Sequence, residues 1–203
     1  MRLFTRSLGL LAVTAALALA ASATASATTA SISSPGAKAG TTTAAWKLAV
    51  QGSSSSATVT CTTAKIYATL GNASGALPLT LSNTYKQTLS GCTTAGTATT
   101  VGCTSTAVLK ATGLSTNGVT ALSLSSLSCT ATVSGCGSAK LTGSQPGTYT
   151  NGQSQLTLPV TGQSLAVSGS TCSLIPNGTA TSSTSTGAAL SYLIVPLVAI
   201  SVY

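Results

Sequence analysis

The chain contains no aspartate, no glutamate and no histidine. These side chains most often carry protons near neutral pH and bind hard cations. Without them there is no carboxylate pair for glycoside hydrolysis and no imidazole for a Ser-His-Asp triad. A glycine-rich phosphate loop ending in lysine is missing too. A Ser-Lys dyad is the acid–base device that such a composition still permits. No S-x-x-K spacing occurs, however, and the nearest local pairing is Ser138 with Lys140. The chain therefore reads as non-enzymatic, with no cofactor and no metal. Aromatic residues are also scarce, at 3% of the chain with a single Trp. That is poor material for stacking platforms, and the lysines are dispersed, so nucleic acid is not an expected partner.

What is present points first to export. Arg2 and Arg6 precede a charge-free apolar stretch, Ser7 to Ala21, and A-x-A sites follow, ending at Ala23, Ala25 or Ala27. This is the layout of a signal peptide over residues 1–27, with cleavage after one of those alanines. The apolar stretch is short of the ~20 residues that a membrane span needs. Removing it takes away both arginines, so the net charge falls from +8 to +6, carried by Lys38, Lys47, Lys65, Lys86, Lys110 and Lys140 alone. No transmembrane span is expected in the mature protein.

Six cysteines, Cys61, Cys92, Cys103, Cys129, Cys136 and Cys172, all lie in the exported part. In an oxidising compartment an even number reads as disulfides, and with no C-x-x-C pair and no His zinc is not expected. Six cysteines allow fifteen pairings, among which the sequence does not choose. Pairing in chain order, Cys61 with Cys92, Cys103 with Cys129 and Cys136 with Cys172, is the working expectation. Each bridge is worth roughly 2–4 kcal/mol where the core side chains are small.

Periodicity of two dominates the mature chain. Trp46, Leu48 and Val50 alternate with Lys47 and Ala49, and Ile66, Ala68 and Leu70 alternate with Lys65, Tyr67 and Thr69. Leu122 and Leu124 are followed out of phase by Leu127, Cys129, Ala131 and Val133, so a bulge or break is expected at Ser125-Ser126. Leu156, Leu158 and Val160, then Leu165 and Val167, flank a turn at Thr161 to Ser164 and predict a hairpin. Many short strands with frequent turns predict one antiparallel β-sandwich-like domain, or a related closed all-β architecture, stapled by disulfides after the signal peptide. Residues 28–43 read as a flexible Ser/Thr/Ala/Gly lead-in. Residues 44–203 read as the all-β domain, with a polar loop at about 178–187 and an apolar final strand at 188–203. Thr-x-Thr pairs at Thr58-Thr60, Thr97-Thr99, Thr130-Thr132 and Thr148-Thr150 suggest an ice-organising array, but their spacing lacks the fixed period of a solenoid.

Two anchoring motifs need weighing. Leu158-Pro159-Val160-Thr161-Gly162 matches the L-P-x-T-G signal of sortases, yet no Lys or Arg follows it and a strand leading into a turn explains it better. Asn177-Gly178-Thr179 followed by a polar spacer and an apolar tail has the layout of a glycolipid-anchor signal. The alternative is a retained strand, with Leu190, Tyr192, Ile194, Val198, Ile200 and Val202 at alternate positions. Asn72-Ala73-Ser74 and Asn177-Gly178-Thr179 are also glycosylation sequons.

The second half of the chain carries Gly135-Cys136, Gly143, Gly147-Thr148-Tyr149-Thr150-Asn151, Leu165-Ala166-Val167-Ser168, Cys172 and Tyr192-Leu193-Ile194-Val195-Pro196. The first half adds Val59-Thr60-Cys61-Thr62-Thr63-Ala64 and Ser90-Gly91-Cys92. Together they resemble a pattern of uncharacterised small secreted all-β proteins of actinobacteria, to which no activity is assigned. The resemblance implies export and an all-β fold, and supplies no catalytic residue.

The expected role is a secreted, extracellular or cell-surface structural protein. Its partners would be cell-envelope components or further copies through self-association at exposed strand edges. The alternative is an extracellular binding module for a glycan, lipid or other apolar ligand, with Trp46, Tyr67, Tyr85 and Tyr149 as pocket residues. A C-terminally anchored location is the alternative to free secretion. One physical consequence follows from composition alone. With the thiols oxidised, only the chain termini titrate between about pH 4 and pH 8. The thermal midpoint is expected to stay nearly constant across that interval, and a drift of many degrees would disprove the reasoning.

Overall fold

A computed structural model describes residues 27–42, 44–104 and 107–203. Apart from Ala27, the signal-peptide assignment lies outside the described residues. Their strands are β1 Thr28–Ile32, β2 Gly36–Thr42, β3 Trp46–Gln51, β4 Ser56–Leu70, β5 Ala73–Gly75, β6 Leu79–Thr94, β7 Thr97–Cys103 and β8 Ala107–Ala111. They continue with β9 Val119–Val133, β10 Gly137–Thr150, β11 Gln155–Leu158, β12 Ser164–Ser168, β13 Gly178–Thr184, β14 Leu190–Val195 and β15 Ile200–Val202. A 3-10 turn, Asn151–Gln153, joins β10 to β11, and no α-helix occurs among the described residues.

The strands β4, β6, β9 and β10 are 14 to 16 residues long, and each changes neighbours along its length. One ring of antiparallel pairings runs β3–β4–β6–β7–β9–β10–β12–β13 and returns to β3. A second runs β2–β4–β6–β8–β9–β10–β11–β14 and returns to β2. The two rings, here termed upper and lower, share the long strands and form one closed barrel. The expected antiparallel all-β domain is thus closed on itself, which removes the free edges of the main sheet. Outside it, β1 pairs with β15 and β5 in a small sheet whose Ala30, Ile32, Ile200 and Val202 join the same core as the lower ring.

In passing from one ring to the other, β4, β6 and β9 re-aim their side chains, whereas β10 keeps one inward phase. In β9 the inward set is Thr120, Leu122 and Leu124, then Leu127, Cys129, Ala131 and Val133. The extra residue is accommodated at Ser125-Ser126 opposite Ser144, with Ser126 at φ +58°, so the phase slip in the sequence is a bulge. In β4 and β6 the slip is shared: Cys61 and Ala64 are both buried, as are Leu89 and Cys92, with Thr62 and Gly91 between. Gly91 has φ +61°, and a Cβ there would collide with Thr62 Oγ1.

The disulfides are Cys61–Cys92, Cys103–Cys129 and Cys136–Cys172. The first two join residues directly opposite on paired strands, β4 with β6 and β7 with β9. Both sit close to the phase slips and staple the waist between the rings. The third ties the β9–β10 turn to the segment before β13.

Four expectations need correction. Residues 28–42 are not a flexible lead-in but β1 and β2; β2 fills the gap between β14 and β4 in the lower ring. Residues 178–184 are not a loop but β13, held on both sides by β3 and β12, and the turn is confined to Ser185–Gly187. The apolar end is two strands, not one: β14 belongs to the lower ring and β15 to the small sheet, although all six alternate residues expected inward are buried. Finally, β11 and β12 are not a hairpin. They bind the same edge of β10 at different heights, Thr148–Thr150 and Lys140–Ser144, so their connection steps between the rings.

The waist generates a test. Gly91→Ala meets both a left-handed backbone and Thr62, whereas Gly96 at φ +80° has open space around it. Gly91→Ala should destabilise by about 1–3 kcal/mol more than Gly96→Ala in denaturant melts. Equal losses would mean that the contact with Thr62 does not constrain the waist.

Candidate functional site

The inward positions of the lower ring bring three tyrosines into the core: Tyr85 from β6, Tyr149 from β10 and Tyr192 from β14. Each sits at an inward position of its strand, and each is too large to be buried without its hydroxyl being accounted for. Tyr149 Oη donates to the Val198 carbonyl at 2.6 Å, and Tyr192 Oη accepts from Gln87 Nε2 at 2.9 Å. Tyr85 Oη has no partner. Burial holds all three phenols above the ordinary tyrosine range, with the neighbouring Tyr192 adding to the rise at Tyr85; Ser154 beside Tyr149 and Gln87 beside Tyr192 oppose it. In the unfolded chain phenols ionise near ~10. The stability that these groups lend is therefore whole below that pH and is lost as the pH climbs through the folded values.

Tyr85 and Tyr149 face a small apolar cavity of about 30 Å³, which Ile66, Leu109, Leu122 and Leu156 help to line. Lys38, inward on β2, contributes its stem to the wall and donates through Nζ to Ser34 Oγ at 3.2 Å. This is a Ser-Lys contact in which the ammonium donates a hydrogen bond to the hydroxyl oxygen. Ser138 and Lys140, the pair closest in sequence, lie on the outward side of β10, where Ser138 N is bonded to Thr171 Oγ1.

Of the residues expected to form a pocket, only Tyr85 and Tyr149 meet. Trp46 is buried in the upper ring, and Tyr67 stands outside the barrel, 43% exposed. Tyr192 and Gln87 complete the lower cluster; their only signal in sequence was an alternate position in an apolar run and a polar residue at an inward site. Another polar cluster, Gln145, Gln163 and Ser182, crosses the upper interior, with Gln163 Oε1 accepting from Ser182 N at 2.7 Å. Gln163 Nε2 also donates to the Pro159 carbonyl at 2.7 Å. The L-P-x-T-G pentapeptide is therefore folded in: Leu158 is buried opposite Leu190, and Thr161-Gly162 form the turn.

All six cysteines are in disulfides, and among the described residues no group of His, Cys, Asp or Glu is placed to hold a metal. The Thr-x-Thr pairs do not form one array, because Thr99 is buried and bonded to Thr94 while Thr130 and Thr132 face out. Larger concavities lie on the outside of the barrel, one of about 340 Å³ between the Asn151–Gln153 turn and Leu197–Ala199 and one of about 360 Å³ over β3, β4 and β13 beside Gln51, Thr58 and Thr181. Asn151 is already bonded there to both backbone groups of Ile200. Among the described residues no helix is long and apolar enough to cross a membrane. The barrel itself is apolar within and hydroxyl-rich without, as at Thr58, Thr93, Thr100 and Thr132, the reverse of a membrane-spanning barrel. No known protein family, characterised protein or solved structure matches the chain.

The tyrosines make a discriminating series. Tyr85→Phe removes an unpartnered buried hydroxyl and should raise stability by about 1–3 kcal/mol, whereas Tyr149→Phe, which loses a made bond, should lower it by about 1 kcal/mol. Chemical denaturation of both variants checks the pair. A loss in Tyr85→Phe would mean that its hydroxyl has a partner in solution.

Proposed function

We propose that this chain is a secreted, non-enzymatic structural domain of the cell exterior, acting through its outer wall and not through an internal site. The observation that carries the reading is the closed, filled interior. A ligand pocket usually offers about 300–1,000 Å³, an order of magnitude above the 30 Å³ left inside the barrel beside Tyr85, and the larger concavities lie on its outer wall. Three disulfides and the lack of any titrating acid suit an oxidising and uncontrolled environment.

The small interior speaks against an internal pocket in the alternative, an extracellular binding module for a glycan, lipid or other apolar ligand. Retention of the C-terminal segment is favoured for a similar reason: cleavage near Asn177 would remove β13, β14 and β15, and with them a wall of each ring. Cells of the native host, treated intact with a membrane-impermeant amine reagent, test the reading through exposed Lys65, Lys86 and Lys140. The protein is expected to be modified on intact cells, and its thiols to become alkylatable only after reduction. Modification confined to lysed cells, together with free thiols, would refute it.

A further inference from the structure

Large apolar side chains left on the surface are concentrated at one end of the barrel. Tyr67, Leu114, Leu193, Val195, Leu197 and Tyr203 are each more than 40% exposed. All belong to the lower ring, its loops or the small sheet beside it. Among the described residues, the strands and loops that serve only the upper ring expose no large apolar side chain. Scattered exposed apolar residues need no explanation, but a one-ended distribution does.

Register places several of them on one face. Val195, Ala39, Tyr67 and Lys86 stand side by side across β14, β2, β4 and β6. At the ordinary strand spacing that row spans about 14 Å. Two residues further along, Leu193, Thr41, Lys65 and Thr88 form the next row of the same outward face. The face is therefore aliphatic on β14, aromatic on β4 and basic on β4 and β6. The inward neighbours Ile66, Tyr192 and Ile194 already fill the core, so packing does not require the outward ones.

Charge selects the occupant. The chain has no acidic side chain anywhere, so a second copy would set lysine against lysine with nothing to neutralise either. The complementary surface is anionic. Exposed Leu and Val neither stack on sugars nor accept hydrogen bonds, and they gain by entering hydrocarbon, which favours a lipid over an acidic glycan or polyphosphate. We infer that the outer face of β14, β2, β4 and β6 docks this protein on a lipid surface bearing anionic headgroups. Leu193, Val195 and Tyr67 enter the interface while Lys65 and Lys86 pair with phosphates. The inference rests on the reading of an exterior wall protein and names what that wall rests against.

Sedimentation of the oxidised host protein with vesicles tests it independently of where the protein is found in cells. It should pellet with phosphatidylglycerol-containing vesicles and not with phosphatidylcholine alone, less so as salt rises. Replacing both Lys65 and Lys86 by Gln should weaken binding about 25-fold, or about fivefold per lysine. The same change at Lys47 and Lys140, on the upper ring, should leave binding within about twofold, since those charges lie away from the docked face. Leu193→Ser with Val195→Ser should abolish binding while leaving the melting curve in place, because both side chains are outside the core. Failure to bind anionic vesicles, equal losses in the two lysine pairs, or binding to soluble polyphosphate that ignores Leu193 and Val195 would each overturn the inference.

Discussion

Backbone hydrogen bonding around two closed rings is the constraint on which everything else in this molecule depends. With no ion pair available and one Trp in the chain, neither charge nor aromatic bulk can specify the fold. The ladders do so instead, because each strand of the barrel finds a neighbour on both sides and leaves few buried backbone groups unpaired. Four long strands serve both rings, and three of them, β4, β6 and β9, reverse their inward phase part-way, while β10 keeps one phase from Ala139 to Tyr149. The bulge at Ser125-Ser126, the left-handed Gly91 and two cross-strand disulfides gather at that waist for this reason. The same closure decides where chemistry can occur. The interior is filled by aliphatic side chains, Trp46, three tyrosines and a few bonded polar groups, so the side chains on the outside are what the protein offers to its surroundings.

Much of the fold was legible where a strand declares its own faces. Trp46, Leu48 and Val50 point inward as their alternation requires, and the slip after Leu124 marked a bulge without any structure. The parts that were not legible are strands specified by their partners. Thr28–Ile32 and Gly36–Thr42 contain little apolar periodicity, and they are strands because Ile200–Val202, β14 and β4 present open edges to them. Gly178–Thr184 reads as a linker, yet its Ser182 and Ser183 are buried, with Ser182 bonded to Gln163, a residue distant in sequence. Leu156–Leu158 and Leu165–Val167 are adjacent in sequence without pairing, because one long strand, β10, binds both. The lower tyrosine cluster was half visible: Tyr85 and Tyr149 stood out by size, but only the closed ring could bring Tyr192 and Gln87 to them.

The missing acids have opposite effects inside and outside. Within the barrel they leave Lys38 with a serine hydroxyl for company, so its ammonium reaches Ser34 and no carboxylate is buried to balance it. On the exterior every charge has one sign, and the protein's surface discriminates among neighbours by repulsion as much as by attraction. The uneven placement of aliphatic side chains then gives that surface a direction. One end is hydroxylated and water-compatible, and the other carries the exposed Leu, Val and Tyr.

That direction coincides with the manner in which the chain closes. At the apolar end, Thr29 and Tyr203 exchange backbone hydrogen bonds of 2.8 and 3.0 Å, and β1 lies between β5 and β15. The ordering entropy of so wide a loop has to be met before this pairing returns anything, so contacts of this kind form late. A polypeptide emerging amino end first therefore presents β1 long before its second neighbour exists. Until Ile200–Val202 arrives, the small sheet has an open edge and the lower core lacks Ile200 and Val202. Completion of the domain is tied to the arrival of Ile200–Val202, and a product without that strand would leave the edge of β1 unpaired and the lower core open.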